Sequence, residues 1–287
     1  MKDRTYGMLL AVPASATLLA IVIFPMLFSL HLSVVPLDLL HPGAPRHFAG
    51  LTVYAAVIAD PRFIASLLHT LVFVVLTMTA ELVLGLGVAL VLNQASLAGR
   101  GLFRTLLVLP LMVAPVVSGL QWRWIFSDQY GVLNYLLSFL HLPAPLWLGH
   151  PASAMAAIIV ANLWVATPFV LLVLLAGLQG MPDEPIEAAR IDGAGWWQRL
   201  RLVVLPLLRP AIRVVLLIRL ADAIRIFDIV YVLTGGGPGD STQVFSTYIF
   251  QTSYGSLDLS KGAAGSFIMV FITALISFFL ARRFRDG

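Results

Sequence analysis

Arg219, Asp222, Arg225 and Asp228 recur at every third position in an otherwise apolar stretch. Residues three apart are neighbours on a helix surface, so each acid in this ladder stands beside a base. Such carboxylates and guanidinium groups can hydrogen-bond a hydroxylated or charged solute. They can equally neutralise one another and lock their helix to its neighbours. A lone charge at the centre of a bilayer costs about 2.5–3.5 kcal/mol, so the ladder is expected to face a bundle interior or a watery cavity. Glu81 is a single acid in another apolar stretch and is expected to bond a neighbouring helix, away from any solute. Catalytic chemistry finds little else to use. The chain has no cysteine, which excludes disulfides, thiolate metal sites and cysteine nucleophiles. His31, His41, His47, His69, His141 and His150 are scattered, with no H-E-x-x-H and no G-x-S-x-G, so no metal site is expected. Thr234-Gly235-Gly236-Gly237-Pro238 superficially suggests a phosphate loop but lacks the Lys and Ser/Thr that must follow. Lys2 and Lys261, the only lysines, complete no such motif either. A glycine run of this kind more simply lets the backbone turn sharply.

The elements that position these residues follow from composition. Of 287 residues, 60% are hydrophobic and 11% charged, against about 25% charged in a soluble domain. Mean hydropathy is +0.94. So little polar surface cannot cover a water-soluble globule, and the expected class is an all-α polytopic membrane protein. Stretches near the 20 apolar residues a crossing requires lie at about 8–34, 63–92, 103–126, 152–179, 206–233 and 260–281, predicting six transmembrane helices. Lys2, Arg4 and Ala14-Ser15-Ala16 give the first run the look of a cleaved leader, but its hydrophobicity continues to Leu30, so it is read as retained. With the N-terminus inside, inner segments hold Arg100, Arg104, Arg190, Arg199, Arg201, Arg209, Arg213, Arg282, Arg283 and Arg285. Outer segments hold only Arg46 and Arg62, with Lys261 at a span edge. This bias predicts cytoplasmic termini. It also accounts for the net charge of +4 with no nucleic acid as partner. The outer loop 35–62 carries Pro36, Pro42, Gly43 and Pro45. In the other outer loop, 127–151, the stretch Gly131 to Leu140 suggests a short helix lying on the membrane face. A single membrane domain, 1–287, is expected.

One inner loop, 180–205, is the most polar long interval. Asp183 is placed to cap a helix whose first turn holds Glu184, Pro185 and Glu187, where acids suit the positive end of the helix dipole. Gly193 and Gly195 then supply a stop. Beyond it Trp196, Trp197, Leu200 and Val204 fall on one side of a second run, leaving Gln198, Arg199 and Arg201 to water or headgroups. A short polar helix, a glycine break and an interfacial ramp make a ledge suited to a soluble partner.

Glu187-Ala188-Ala189, then Asp192-Gly193-Ala194, then Leu205-Pro206 resembles the cytoplasmic signature of binding-protein-dependent ABC importer permeases. Phe103-Arg104-Thr105, Pro110, Trp122, Trp124, Phe126, Gly131, Asn134, Trp147, Trp164, Pro168, Phe227-Asp228 and Thr234-Gly235-Gly236-Gly237-Pro238 are similar to the carbohydrate branch, of maltose or glycerol-phosphate type. The likeness covers about 100–265, and the first hundred residues match only in span placement. It implies a type I ABC importer-like permease in the cell inner membrane. It also implies a second, homologous permease subunit, a dimer of ATP-binding subunits that holds the ATP and Mg, and an extracytoplasmic solute-binding protein. The helix 183–194, with Glu187, Ala188, Ala189, Asp192 and Gly193, would then couple to the ATPase. Asp222, Arg225 and Asp228 would line the substrate path. A polyamine or amino-acid permease of the same family is the alternative, disfavoured by Thr234–Pro238. An ion-coupled secondary transporter would be expected to show internal repeats, and none is evident.

Overall fold

Uninterrupted apolar runs become long helices because, in a bilayer, every backbone N–H and C=O must find its partner within the segment. The computed structural model describes residues 12–37, 39, 48–94 and 98–285, which are mostly helical, with no strand among them. The readings placed on Lys2, Arg4, His41, Pro42, Gly43, Pro45, Arg46 and His47 lie outside the described residues, as does the start of the 8–34 run.

Among the described residues, four helices are long and apolar enough to cross a membrane: α1 (Val12–Val34), α3 (Pro61–Leu92), α7 (Pro151–Gln179) and α13 (Leu259–Arg285, apolar over Leu259–Phe284). Short α2 (Thr52–Ile58) leads into α3. The expected third span, 103–126, is instead a bent pair, α4 (Arg100–Met112) and α5 (Pro115–Ile125), whose axes meet at 101°. The bend falls where Ala114 is extended, at φ −62° and ψ 139°, because the ring of a following proline disfavours the helical region for the residue before it. Counted as one crossing, this pair brings the total to five, short of the six expected.

The expected fifth span, 206–233, is also interrupted. It divides into α10 (Leu205–Ile224) and α11 (Asp228–Leu233). Here the break has a side-chain cause. The Arg225 amide bonds the Asp222 carbonyl at 3.2 Å, one residue short of the α-helical acceptor. Arg225 Nε takes the abandoned Ala221 carbonyl at 3.0 Å. The Ser246 hydroxyl donates to the Ile226 carbonyl, satisfying a second group at the break. With Arg209, Arg213, Arg219 and Asp222 along it, α10 is also the least apolar of the long helices.

The chain divides into two compact units: Met1–Ile64 with Tyr248–Ile272, and Ala65–Thr247 with Thr273–Gly287. In the first, Ser33 Oγ lies 2.8 Å from Tyr54 OH, tying α1 to α2. Ser260 at the start of α13 donates to the Val35 carbonyl and accepts from Leu37 N. Tyr248, in α12 (Phe245–Phe250), donates to Asp60 Oδ2 at 2.9 Å, and Asp60 Oδ1 accepts from Arg62 N.

The second unit packs α3 on α7 and α10. Its core contains Ala89, Leu92, Val170, Leu171, Leu174, Leu175, Leu208 and Val215. Lipid tails are as apolar as leucine, so close packing through small residues must hold such helices together. Gly85 supplies one contact: a Cβ there would lie 2.6 Å from Val170 Cγ1. Gly119 supplies another, where a Cβ would meet Val232 Cβ at 3.0 Å, and α5 thereby lies tight on α11.

Candidate functional site

Two places in the second unit gather the residues singled out by the sequence. The first is a cavity of about 550 Å³ bordered by both helix breaks. Leu111 and Pro115 flank one break, Arg225 to Ile229 form the other, and Asn162, Arg219 and Asp222 complete the polar wall. Asp222, Arg225 and Asp228 therefore do line a single cavity. The ladder, however, has three joined rungs and not four. Asp222 bridges Arg219 and Arg225 at 3.3 Å on each side. The Asp228 side chain makes no hydrogen bond or ion pair among the described residues, because α10 ends at Ile224 and the helical register that would have paired it with Arg225 is lost.

Glu81 bonds neighbouring helices, as expected. Arg219 grips it with a two-pronged fork, Nε to Oε2 at 2.8 Å and Nη2 to Oε1 at 2.9 Å. Asn162 Nδ2 adds a third donor to Oε1 at 3.0 Å. Three helices, α3, α7 and α10, thus meet at one carboxylate that is 1% exposed. A charge so far from water persists only when paired and hydrogen-bonded. Asn162 is the residue sequence reading missed. Its signal was a lone amide in a long apolar helix, a group that demands a partner in the bundle.

The second place is the ledge. Short helix α8 spans Glu184–Ile191, with Pro185 in its first turn and Glu184 and Glu187 at its positive end. Asp183 stands at the cap position but its side chain makes no capping bond; its backbone is helical, at φ −75° and ψ −29°, which turns the carboxylate from the free amides. The end is built as expected. Gly193 has φ +77°, its amide bonds the Arg190 carbonyl at 3.1 Å, and the Ala194 amide reaches back to Ala189 at 2.9 Å. These paired bonds are the Schellman closure, which needs the left-handed residue glycine supplies. Gly195 does not share in the stop. It is extended and caps α9 (Trp196–Arg199), its amide donating to Gln198 Oε1 at 2.8 Å. Arg199 is partly buried, with Nη1 on the Ala194 carbonyl at 2.9 Å, and is not left to solvent as expected. A π-helical turn, Leu200–Val204, carries the chain into α10, where Pro206 has no amide to donate. Glu187, Ala188, Asp192 and Gly193 are exposed and Ala189 is half-buried. Ile191 is 87% exposed, and Trp196 and Trp197 are also uncovered, while Leu200 is buried.

The remaining pattern residues cluster locally. Trp122 stacks on Phe126 at 5.3 Å and meets Trp164 edge-on at 6.3 Å, and Trp147 donates to Asn134 Oδ1 at 2.8 Å. Gly131 cannot be replaced without displacing the Ser127 carbonyl, 2.1 Å from where a Cβ would sit. It introduces short α6 (Val132–Phe139), as anticipated. In the glycine run, Gly235 and Gly236 have φ of +63° and +95°, and the turn closes through Thr234 Oγ1 and Thr242 Oγ1, 2.8 Å apart.

Residues 81–284 match the family model of the binding-protein-dependent transport system inner membrane component. The chain belongs to this family. Relatives include the trehalose/maltose transport system permease protein MalF of Thermococcus litoralis, 38% identical over 96% of this chain and 91% of that protein. The trehalose transport system permease protein SugA of Mycobacterium tuberculosis is 34% identical over 99% and 90%. Among solved structures, a chain of a bacterial ABC transporter involved in the import of the acidic polysaccharide alginate superposes with a TM-score of 0.84 at 23% identity, covering 99% of this chain and 98% of that one. The fold is therefore that of an ABC importer permease. This permease is a transport subunit.

Proposed function

We propose that this chain, taken as one permease domain over 1–287, is a membrane subunit of an ATP-driven importer for a sugar or related polyhydroxylated solute. Trehalose and maltose transport by the named relatives supports the cargo class. In this reading α4–α5 and α10–α11 each complete a crossing despite their breaks, giving six passes with both termini and the ledge on the cytoplasmic side. The ledge carries the assignment. A polar helix closed by Gly193 and presenting Glu187, Ala188 and bare Ile191 is a surface made for a soluble protein. An ATPase dimer, holding ATP and Mg, grips α8, and nucleotide-driven closure moves it between two arrangements of the bundle. A second, homologous permease completes the pore, and a solute-binding protein delivers cargo from outside. The cavity between the broken helices is the solute's route. Asp222 and Asp228 accept hydrogen bonds from its hydroxyls, and Arg225 holds Asp222 in place.

The test is uptake by proteoliposomes containing the whole transporter and the cognate binding protein. Uptake is expected to require internal ATP and to survive collapse of ion gradients by ionophores. Uptake abolished by ionophores with ATP intact, or a purified assembly without an ATP-hydrolysing subunit, overturns it.

A further inference from the structure

We propose that Glu81 sets the charge selectivity of the cavity: by closing a fork on Arg219 it withholds that guanidinium from cargo, leaving a path that favours neutral solutes over anionic ones. The inference rests on the cavity being the solute's route. Glu81 is a positioning residue in this role. It lies on α3, does not border the cavity, and is sealed from water. Arg219 does border it.

Arg219 spends Nε and Nη2 on Glu81 and aims Nη1 at Asp222 Oδ2, 3.3 Å away. Arg225 spends Nε on the Ala221 carbonyl and Nη2 on Asp222 Oδ1. Both guanidinium groups are thus turned onto groups of the chain itself. Asp228 has no such partner among the described residues. Three carboxylates, Glu81, Asp222 and Asp228, face two guanidinium groups, so one negative charge is left over, and it lies on the cavity wall. A planar fork on a carboxylate is also the geometry by which arginine binds carboxylated or sulfonated ligands. Glu81 already occupies it. The same fold serves an acidic polysaccharide in the alginate transporter, so fold alone does not fix cargo charge. Replacing Glu81 by glutamine removes the excess charge and, because one acceptor oxygen becomes an amide donor, breaks the fork and releases one charged N–H donor beside the cavity.

The natural absence of cysteine gives a direct reporter. Ile218, exposed and on the cavity wall, becomes Ile218→Cys in the complete transporter in nanodiscs. Modification of this subunit by anionic sulfonatoethyl and cationic trimethylammonioethyl methanethiosulfonate is followed by mass spectrometry. Adding Glu81→Gln is expected to raise the anionic-to-cationic rate ratio about tenfold or more, as one unit charge within several ångströms in a partly screened site would. Glu81→Asp, which keeps the charge, holds the ratio near the parent. Glu81→Gln/Arg219→Gln, which removes one charge of each sign and so leaves the net charge unchanged, leaves it within about threefold of the parent. A smaller rise for assembled Glu81→Gln, or a larger shift for the double variant, overturns the proposal. Should Glu81→Gln fail to assemble, the double variant decides alone. The route reading is read separately, from a change in the Ile218→Cys modification rate when ATP and vanadate are added. A constant rate sinks that reading without touching the ratio.

Discussion

Gly193 offers the sharpest test of the ledge because its surroundings separate strain from docking. Its φ of +77° lies in the left-handed region, and a Cβ there would meet nothing within 4 Å. Substitution therefore carries no clash, only a conformational cost of about 1–2 kcal/mol for an ordinary L-residue. Asparagine and aspartate tolerate that region better. A cost of this size shifts the closed helix end by roughly 5–30-fold, and it leaves insertion, which depends on the apolar runs, untouched. Three variants then rank the effects. Gly193→Asn is expected to keep near-parental transport, and Gly193→Ala to lose it several-fold through the weakened Schellman closure. Gly193→Asp places a third carboxylate beside exposed Asp192 and Glu187. It is expected to abolish transport and co-purification of the ATPase at unchanged membrane abundance. The assays are ATP-driven uptake of the binding protein's cargo in proteoliposomes and pull-down of the ATPase subunit. Full transport with normal co-purification in Gly193→Asp refutes the coupling role. Equal loss in all three variants refutes the separation of charge from backbone strain.

Other expectations rest on single contacts. Asp228→Asn preserves size but weakens a charged acceptor worth about 1.5–3 kcal/mol, so transport efficiency should fall by roughly tenfold or more. Unchanged kinetics and substrate range would remove Asp228 from the path. Gly85→Ala drives a methyl to within 2.6 Å of Val170 Cγ1 and 3.3 Å of the Leu171 amide. Overpacking of about 1–3 kcal/mol should lower the melting temperature of the purified assembly, and Val170→Ala should restore part of it; an unshifted melting temperature contradicts that packing. Burial, then the hydrogen bond to Asp60 and its charge, push the Tyr248 phenol well above its ordinary range. The folded state thus holds this proton more tightly than the unfolded chain. Its contribution is complete below about pH 10 and is lost as pH rises further. Tyr248→Phe should be less stable by about 1 kcal/mol at neutral pH, with the gap narrowing above about pH 10. A gap independent of pH would contradict it.

Sequence alone determined whatever depends on neighbours along the chain. The apolar runs gave the helices. Gly193 gave the left-handed stop of α8, and Glu184, Pro185 and Glu187 gave its start, since caps and dipoles act within one turn. Ala114-Pro115 also carried a local signal for the bend between α4 and α5, one that span counting by hydropathy passes over. Only the tertiary structure decided the polar wall. Glu81 and Arg219 stand 138 residues apart, and no spacing rule links residues whose helices merely pack side by side. The fate of Asp228 was equally invisible. Its place in a ladder assumed an unbroken helix, and the break arose because the Arg225 side chain took its own helix's carbonyl while Ser246, twenty residues on, satisfied another. Local patterns fix where backbone bonds can form; which buried charges meet is fixed by the bundle that must neutralise them.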